Sequence, residues 1–297
     1  MLNIQKSYED TEEQGRLYLV GTPIGNLEDI TYRAIRTLQK SDLIAAEDTR
    51  HTLKLLNHFE IHKPLVSYHE HNKGQRGAEL IDLLLQGKNI ALVSDAGMPA
   101  ISDPGYELVV EAIKNGVTVI PIPGPNAAIT AIIASGLSTE RFLFLGFLPR
   151  EKKELHRELE NYQFSLETLI LYEAPHRIEK TLKAIREILG NRKIVLIREL
   201  TKKHEEFIRG ELDEVIPYVE KNIIKGELTL IIEGARKEII QQLGENWWNP
   251  LTIVEHVTHY LEQGLTVKEA IKQTSIDRNL AKREVYQAYH IENEEKK

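Results

Sequence analysis

The sequence predicts an α/β protein of two tandem domains followed by a small all-helical module. Three observations carry this. From Gly15 onward, short apolar runs alternate with amphipathic stretches of helical period. Three of the runs empty into tight loops rich in Gly, Pro and Asn or Asp. After Gly234 the strand pattern stops and only helical pattern continues. The resulting division is a flexible polar tail over 1–14, an α/β domain over 15–138, a second over 139–240, and a linker with helical module over 241–297.

In order, Leu17–Val20 reads as a strand and Thr31–Lys40 as a helix with Tyr32, Ile35 and Leu38 on one side. Leu43–Ala46 is a second strand, Thr52–His58 a helix and Leu65–Tyr68 a short strand. Gly77–Gln86 is helical through Leu80, Ile81, Leu84 and Leu85, with Gly87 as its stop. The run from Ile90 to Val93, helix Tyr106–Asn115, strand Val117–Ile122 and helix Ala127–Ala134 complete the first domain. This alternation implies a largely parallel sheet covered on both faces. The second domain reads as strands Phe142–Phe147, Thr168–Tyr172, Lys193–Arg198, Glu205–Arg209 and Leu228–Ile232. Its helices are Glu151–Tyr162, Ile178–Leu189 and Asp213–Lys221. Glu238 to Pro250 reads as a linker holding both tryptophans. Thr252–Gln263, Thr266–Thr274 and Arg278–Tyr289 then form a trihelical unit, Thr266 and Glu269 making a capping box at the second helix. Their order resembles a helix-turn-helix, a pattern shared by nucleic-acid readers and plain packing modules. Its basic residues Lys268, Lys272, Arg278, Lys282 and Arg283 are balanced by neighbouring acids.

The composition excludes several classes. With no cysteine among 297 residues there are no disulfides, thiolate metal sites or cysteine nucleophiles, and a cytoplasmic location is expected. The longest apolar runs fall far short of the ~20 residues that cross a bilayer, so no membrane association is expected. A net charge of −7 argues against nonspecific binding to nucleic acid.

A strand that ends in a tight glycine-containing loop is where open α/β sheets bind ligands. Gly21-Thr22-Pro23-Ile24-Gly25-Asn26, Ser94 to Gly105 and Pro123-Gly124-Pro125-Asn126-Ala127 are three such junctions, able to converge on one ligand. Pro23 removes a backbone donor that a pyrophosphate cradle needs, and neither G-x-G-x-x-G nor a Walker A sequence is present. The loops suit a cofactor held by main chain, with apolar side chains against an adenine. His69-Glu70-His71 would place its histidines on opposite faces of an extended segment, and no metal is expected. Asp48 with Arg50, Glu173 with His176 and Arg177, and Arg198, Glu199 and Lys202 all lie at strand ends. They read equally as surface ion pairs or as functional groups. Asp95 and Asp103 read equally as site acids or as turn-forming acids.

Taken together, Leu17 to Leu27, Ala46-Glu47-Asp48-Thr49-Arg50, Ser67 to Asn72, Val93 to Gly97 and Tyr172 to Arg177 resemble the tetrapyrrole methylase superfamily. Within it they resemble the branch of ribosomal RNA small subunit methyltransferase I. The resemblance runs from about Gly15 to Gly234, and the helical module is also similar to that branch. It implies a homodimeric enzyme that binds S-adenosylmethionine (SAM) in a cleft between its α/β domains. The reaction it implies is methylation of the ribose 2′-oxygen of a cytidine in the decoding region of small-subunit (16S) ribosomal RNA. By position, cofactor contacts are expected at Ile24, Asp95, Ala96, Gly97, Ile101, Asn126, Ala127, Tyr172, Glu173 and Leu200. Relatives that modify tetrapyrroles carry Gly-Gly-Asp-Pro in the central loop, where this chain has Asp95-Ala96-Gly97-Met98-Pro99. Asp48 is the first candidate for the proton acceptor and His69 the second; Arg50, Arg177 and Lys202 would grip phosphates. His71, Asn72 and His176 join them on the substrate side. Two alternatives are a tetrapyrrole C-methyltransferase and a non-enzymatic SAM-sensing helix-turn-helix protein.

Overall fold

A computed structural model describes residues 4–8, 14–236, 248 and 251–294. Of the expected tail over 1–14, residues 4–8 and 14 are described, and Gln5 donates to the Val119 carbonyl and accepts from the Val119 N–H, both at 2.9 Å; of the linker over 238–250 only Trp248 is described. The chain forms two compact units, Met1–Ala235 and Arg236–Lys297.

The first unit holds two five-stranded sheets. In the first, β1 (Arg16–Val20), β2 (Leu43–Ala46), β3 (Leu65–Ser67), β4 (Ile90–Val93) and β5 (Thr118–Ile122) pair in the order β3-β2-β4-β1-β5, all parallel. Both faces are covered, as parallel sheets require. On one face Leu17, Leu92 and Val119 pack with Leu80, Ile81 and Leu84 of α3 (Lys73–Leu85) and Leu108 and Ala112 of α4 (Tyr106–Lys114). On the other, Val20, Ile44 and Val93 pack with Ala34 and Leu38 of α1 (Tyr32–Lys40) and Leu56 of α2 (Thr49–His58). Pro121 sits within β5 without loss because β5 is an edge strand.

The second sheet consists of β6 (Phe142–Phe147), β7 (Thr168–Glu173), β8 (Lys193–Arg198), β9 (Glu206–Glu211) and β10 (Leu228–Ile232), in the order β6-β7-β10-β8-β9. Of the paired neighbours only β6 and β7 are parallel; β10 is antiparallel to both β7 and β8, and β8 pairs antiparallel with β9. The parallel pattern of the first domain therefore does not extend to this one. The chain turns from β8 straight into β9, and β10 returns between β7 and β8. One face is covered by α6 (Lys152–Glu160), α7 (Ile178–Leu189) and α8 (Leu212–Lys221). The other is covered by α5 (Ala127–Ser135), whose Ala128, Ala131 and Ile132 meet Ile170, Val195 and Ile231. By sequence α5 ends the first domain; by packing it belongs to the second sheet.

The helical unit comprises α9 (Ile253–Glu262), α10 (Val267–Asp277) and α11 (Lys282–Glu294) around Val257, Ala270, Ile271 and Val285. The Thr266–Glu269 capping box is formed, and Thr252 with Glu255 makes a second. The last helix starts at Lys282 rather than Arg278. Arg278 ends α10, with its guanidinium bonded to His256 and to the carbonyls of Trp248 and Leu251. Asn279 then takes a left-handed φ of 51°, which breaks the helix.

Candidate functional site

The three glycine-containing loops meet because β4, β1 and β5 are neighbours in the first sheet. Thr22 and Gly97 exchange backbone hydrogen bonds of 2.8 and 3.1 Å, joining the β1 and β4 loops. A Cβ on Gly21 would stand 2.8 Å from the Gly124 Cα and 2.7 Å from the Met98 sulfur, so the β1 and β5 loops touch backbone to backbone. In the β4 loop Ala100 and Ser102 hold positive φ values of 67° and 63°, as do Glu199 at 52° and Thr201 at 67° after β8. Such strain collects where surrounding structure fixes a ligand site.

Between these loops and the second sheet lies a cavity of about 470 Å³, within the size range of small-molecule sites. All ten residues expected to contact a cofactor line it: Ile24, Asp95, Ala96, Gly97, Ile101, Asn126, Ala127, Tyr172, Glu173 and Leu200. Phe147 and Tyr172 form an apolar wall, their ring centroids 5.7 Å apart. Asn126 caps α5 by accepting from the Ile129 N–H, which sets the loop that precedes it.

The lining is acidic. Glu47, Asp95, Asp103, Glu173 and Glu227 border the cavity, and no lysine, arginine or histidine does among the described residues. Burial raises the Glu47 carboxyl above its ordinary value, and the charge of Asp95 adds to it. Burial, then the charges of Glu47 and Asp95, push Asp103 up to about 6, although the Ser94 hydroxyl partly offsets them. Glu173 is satisfied instead by the Ala174 N–H at 2.7 Å, the Thr181 hydroxyl and the Arg177 guanidinium.

The residues proposed for catalysis and substrate binding do not line this cavity. Asp48 caps α2 through the Arg50 N–H at 2.8 Å and grips the Arg50 guanidinium at 2.7 and 3.1 Å. That guanidinium and the helix N–H groups hold its carboxyl well below the usual range. The Asp48 N–H in turn donates to the Asp95 carboxylate at 3.0 Å, so Asp48 supports a cavity residue. His69 lies close enough to Glu47 to oppose the rise in its pKa, and its buried Nδ1 has no hydrogen-bond partner among the described residues. His71 is exposed, its ring 6.0 Å from that of His69. Asn72 locks the turn after β3 by accepting from the His69 N–H and donating to the Ser67 carbonyl. Arg177 donates to the Leu148 and Pro149 carbonyls, tying β6 to the start of α7, while His176 is exposed. Lys202 pairs with Glu199 and Glu227 at 3.0 and 3.1 Å, and its stem covers Gly25. Burial alone would lower the Lys202 pKa, but the two carboxylates outweigh it and raise it.

Four groups of lining residues lie outside the cofactor contacts that the resemblance implies. Glu47 belongs to the Ala46 to Arg50 motif, one position from Asp48. Asp103 reads from the sequence equally as a site acid or a turn former, and it lines the cavity. Met98 and Ser102 sit in the central loop itself. Ala174 and Pro175 belong to the Tyr172 to Arg177 motif, whereas Phe147 at the end of β6 and Gly226 to Thr229 at β10 carry no local signal, because the β10 segment reaches the site only through strand order. No group of three or more His, Cys, Asp or Glu able to hold a metal occurs among the described residues. No described helix is long and apolar enough to cross a membrane.

Comparison with known proteins agrees with this architecture. Residues 16–216 match the family of Tetrapyrrole (Corrin/Porphyrin) Methylases. The chain is 57% identical over 291 residues to "Ribosomal RNA small subunit methyltransferase I" of Halalkalibacterium halodurans, covering 98% of this chain and 100% of that one. It is 56% identical to the protein of that name from Bacillus subtilis, covering 98% and 99%. Among solved structures, uroporphyrin-III C-methyl transferase from Thermus thermophilus complexed with S-adenyl homocysteine shares the fold. Its TM-score is 0.54 at 19% identity, over 77% of this chain and 100% of that one. A diphthine synthase matches with a TM-score of 0.59 at 16% identity, over 74% and 90%. From the matched profile, the near full-length relatives and the shared two-sheet fold, the chain belongs to the tetrapyrrole (corrin/porphyrin) methylase family, in the branch of these two bacterial relatives.

Proposed function

We propose that this protein is a SAM-dependent methyltransferase of small-subunit ribosomal RNA, and that its acceptor is the ribose 2′-oxygen of a cytidine in the decoding region. The relatives' names support the substrate class. The observation that carries the cofactor is the lining of the cavity: five carboxylates, apolar walls and no cationic side chain among the described residues. Such a lining repels phosphates and suits a ligand that is itself cationic. SAM supplies a sulfonium-bound methyl group and an ammonium group, both matched by that field.

The reaction forms a bond from the 2′-oxygen to the methyl carbon and breaks the methyl–sulfur bond, the electron pair leaving with sulfur. Alignment of the three atoms supplies a large part of the barrier reduction. The hydroxyl proton goes to a carboxylate. Asp48 and Glu47 are the rival acceptors, and position favours Glu47, whose burial also moves its pKa toward the working pH. His69 orients or relays beside it, and Asp48 with Arg50 fixes the Asp95 loop. Arg50, His71 and His176, all exposed, are the RNA contacts in this reading, while Asn72, Arg177 and Lys202 position the loops. A ribosomal substrate would go with a cytoplasmic location. A homodimer is supported by α5, which is apolar all round yet leaves Ile129 and Ile133 47% and 71% exposed.

Labelled SAM supplied with small ribosomal subunits, with free ribosomal RNA, or with a tetrapyrrole precursor tests the reading. Label recovered as 2′-O-methylcytidine after nuclease digestion is expected from the first. Label on the tetrapyrrole, or on none of the three, removes the proposal.

A further inference from the structure

A second cavity, of about 280 Å³, lies on the other side of the β1 loop. The Thr22–Gly97 bridge stands between the two: Thr22 lines the second, Gly97 the first, and Asp95 borders both. Its lining differs in character from the acidic cofactor cavity. Pro23, Leu27 and Leu55 give it apolar walls, and His51 and Lys54, both exposed on α2, bring positive or titratable groups to it. Lys54 makes no ion pair among the described residues, unlike Arg50, Lys73 and Lys202 on the same unit. Arg50 continues the basic edge, its side chain 88% exposed.

We propose that this second cavity receives one unstacked nucleotide of the RNA substrate. The base lies between Pro23, Leu27 and Leu55, and a flanking phosphate lies at Lys54. This rests on the RNA methyltransferase reading above. Three features of the cavity point to a nucleotide. Its volume is at the small end of ligand sites, about 300 Å³, which admits a single nucleoside and excludes a duplex. Apolar walls beside a basic edge match the two halves of a nucleotide, a flat base and a charged backbone. Its border with the cofactor cavity at Asp95 places the ribose of a nucleotide held here, or of its neighbour, beside the reacting carboxylates. Extraction of a nucleotide from its stack is how enzymes reach atoms that a folded nucleic acid hides.

The test combines three variants of the full chain with two measurements. Lys54→Glu reverses the unpaired charge, Leu27→Trp fills the cavity from its exposed rim, and Lys153→Glu on α6 is an exposed charge reversal elsewhere. Methylation rates against small-subunit concentration at saturating SAM should show apparent KM raised about tenfold or more for Lys54→Glu and Leu27→Trp. SAM affinity by calorimetry should be unchanged in both, and Lys153→Glu should match the parent. Equal effects of the two charge reversals with none from Leu27→Trp would mean a diffuse field rather than a site, and overturns the proposal. So do unchanged KM values in both cavity variants. If the parent labels no ribosomal substrate, the functional reading fails by itself, and the cavity is then judged by titration with cytidine 5′-monophosphate. Saturable amide shifts at Thr22 and Thr52, absent in Leu27→Trp, sustain it; no shifts in the parent end it.

Discussion

Neighbouring acids at the end of β2 have opposite fates. Asp48 is tied to Arg50 and to the first turn of α2, while Glu47 faces the cavity. If Glu47 accepts the proton, Glu47→Gln lowers the single-turnover methyl-transfer rate by about a hundredfold to ten-thousandfold with SAM affinity nearly unchanged. Asp48→Asn then mainly weakens RNA engagement, and Arg50→Ala reproduces it. A rate for Glu47→Gln within a few-fold of the parent removes Glu47 and returns Asp48 to first place. Asp103 makes a separate prediction through pH. Its carboxyl is raised to about 6 from an ordinary 3.8, so the stability it contributes when neutral is present below about pH 4 and lost as pH rises through about 6. A cationic ligand favours the ionised form. SAM affinity should therefore rise about three- to tenfold between pH 5 and 7, with proton release near pH 6. Calorimetry in buffers of different ionisation enthalpy reads both, and Asp103→Asn should flatten the profile.

Among the elements, the proposed cofactor site depends on loops that share backbone space. Gly21 and Gly124 are needed because any Cβ between them lies inside contact distance. Gly21→Val should destabilise the fold by about 1–3 kcal/mol and abolish SAM binding even where the protein remains folded by circular dichroism. Retained SAM affinity in that variant would show that the β1 loop is not part of the site. The helix starts show how one local signal supports two readings. Asp48 is an N-cap, a role its residue type favours, and α2 accordingly begins at Thr49 rather than Thr52. The same Asp-Thr-Arg cluster read as catalysis because a carboxylate at a strand end is common to both.

Across the whole molecule, the helical unit is a separate compact body with its own core. Removal of residues after Ala235 should leave SAM affinity within about twofold, since every lining residue precedes that point, and should raise KM for small subunits. Unchanged kinetics with small subunits would exclude the helical unit from substrate binding. The apolar outer face of α5 predicts self-association: Ile133→Glu should shift the protein from dimer to monomer in light scattering. A parent that is already monomeric at micromolar concentration refutes that interface.

Alternation of apolar runs and amphipathic segments was enough to order the strands and helices, because the period of burial is written locally in residues such as Leu80, Ile81 and Leu84. The motifs at Gly21, Asp95 and Asn126 likewise marked the loops that meet at the cavity, since a loop that brings its backbone close to another segment needs particular residue types. Strand order was not local. The antiparallel return of β10 between β7 and β8 brought Gly226 to Thr229 to the cavity, and the packing of α5 moved it to the second sheet. Side-chain direction was not local either. Glu47 and Asp48 are adjacent acids with the same chemistry, and only the pairing of β2 with β4 and the start of α2 turned one to the cavity and the other to Arg50. Period and loop chemistry depend on neighbours in the chain, whereas strand order and the direction of a side chain depend on contacts between segments far apart in it.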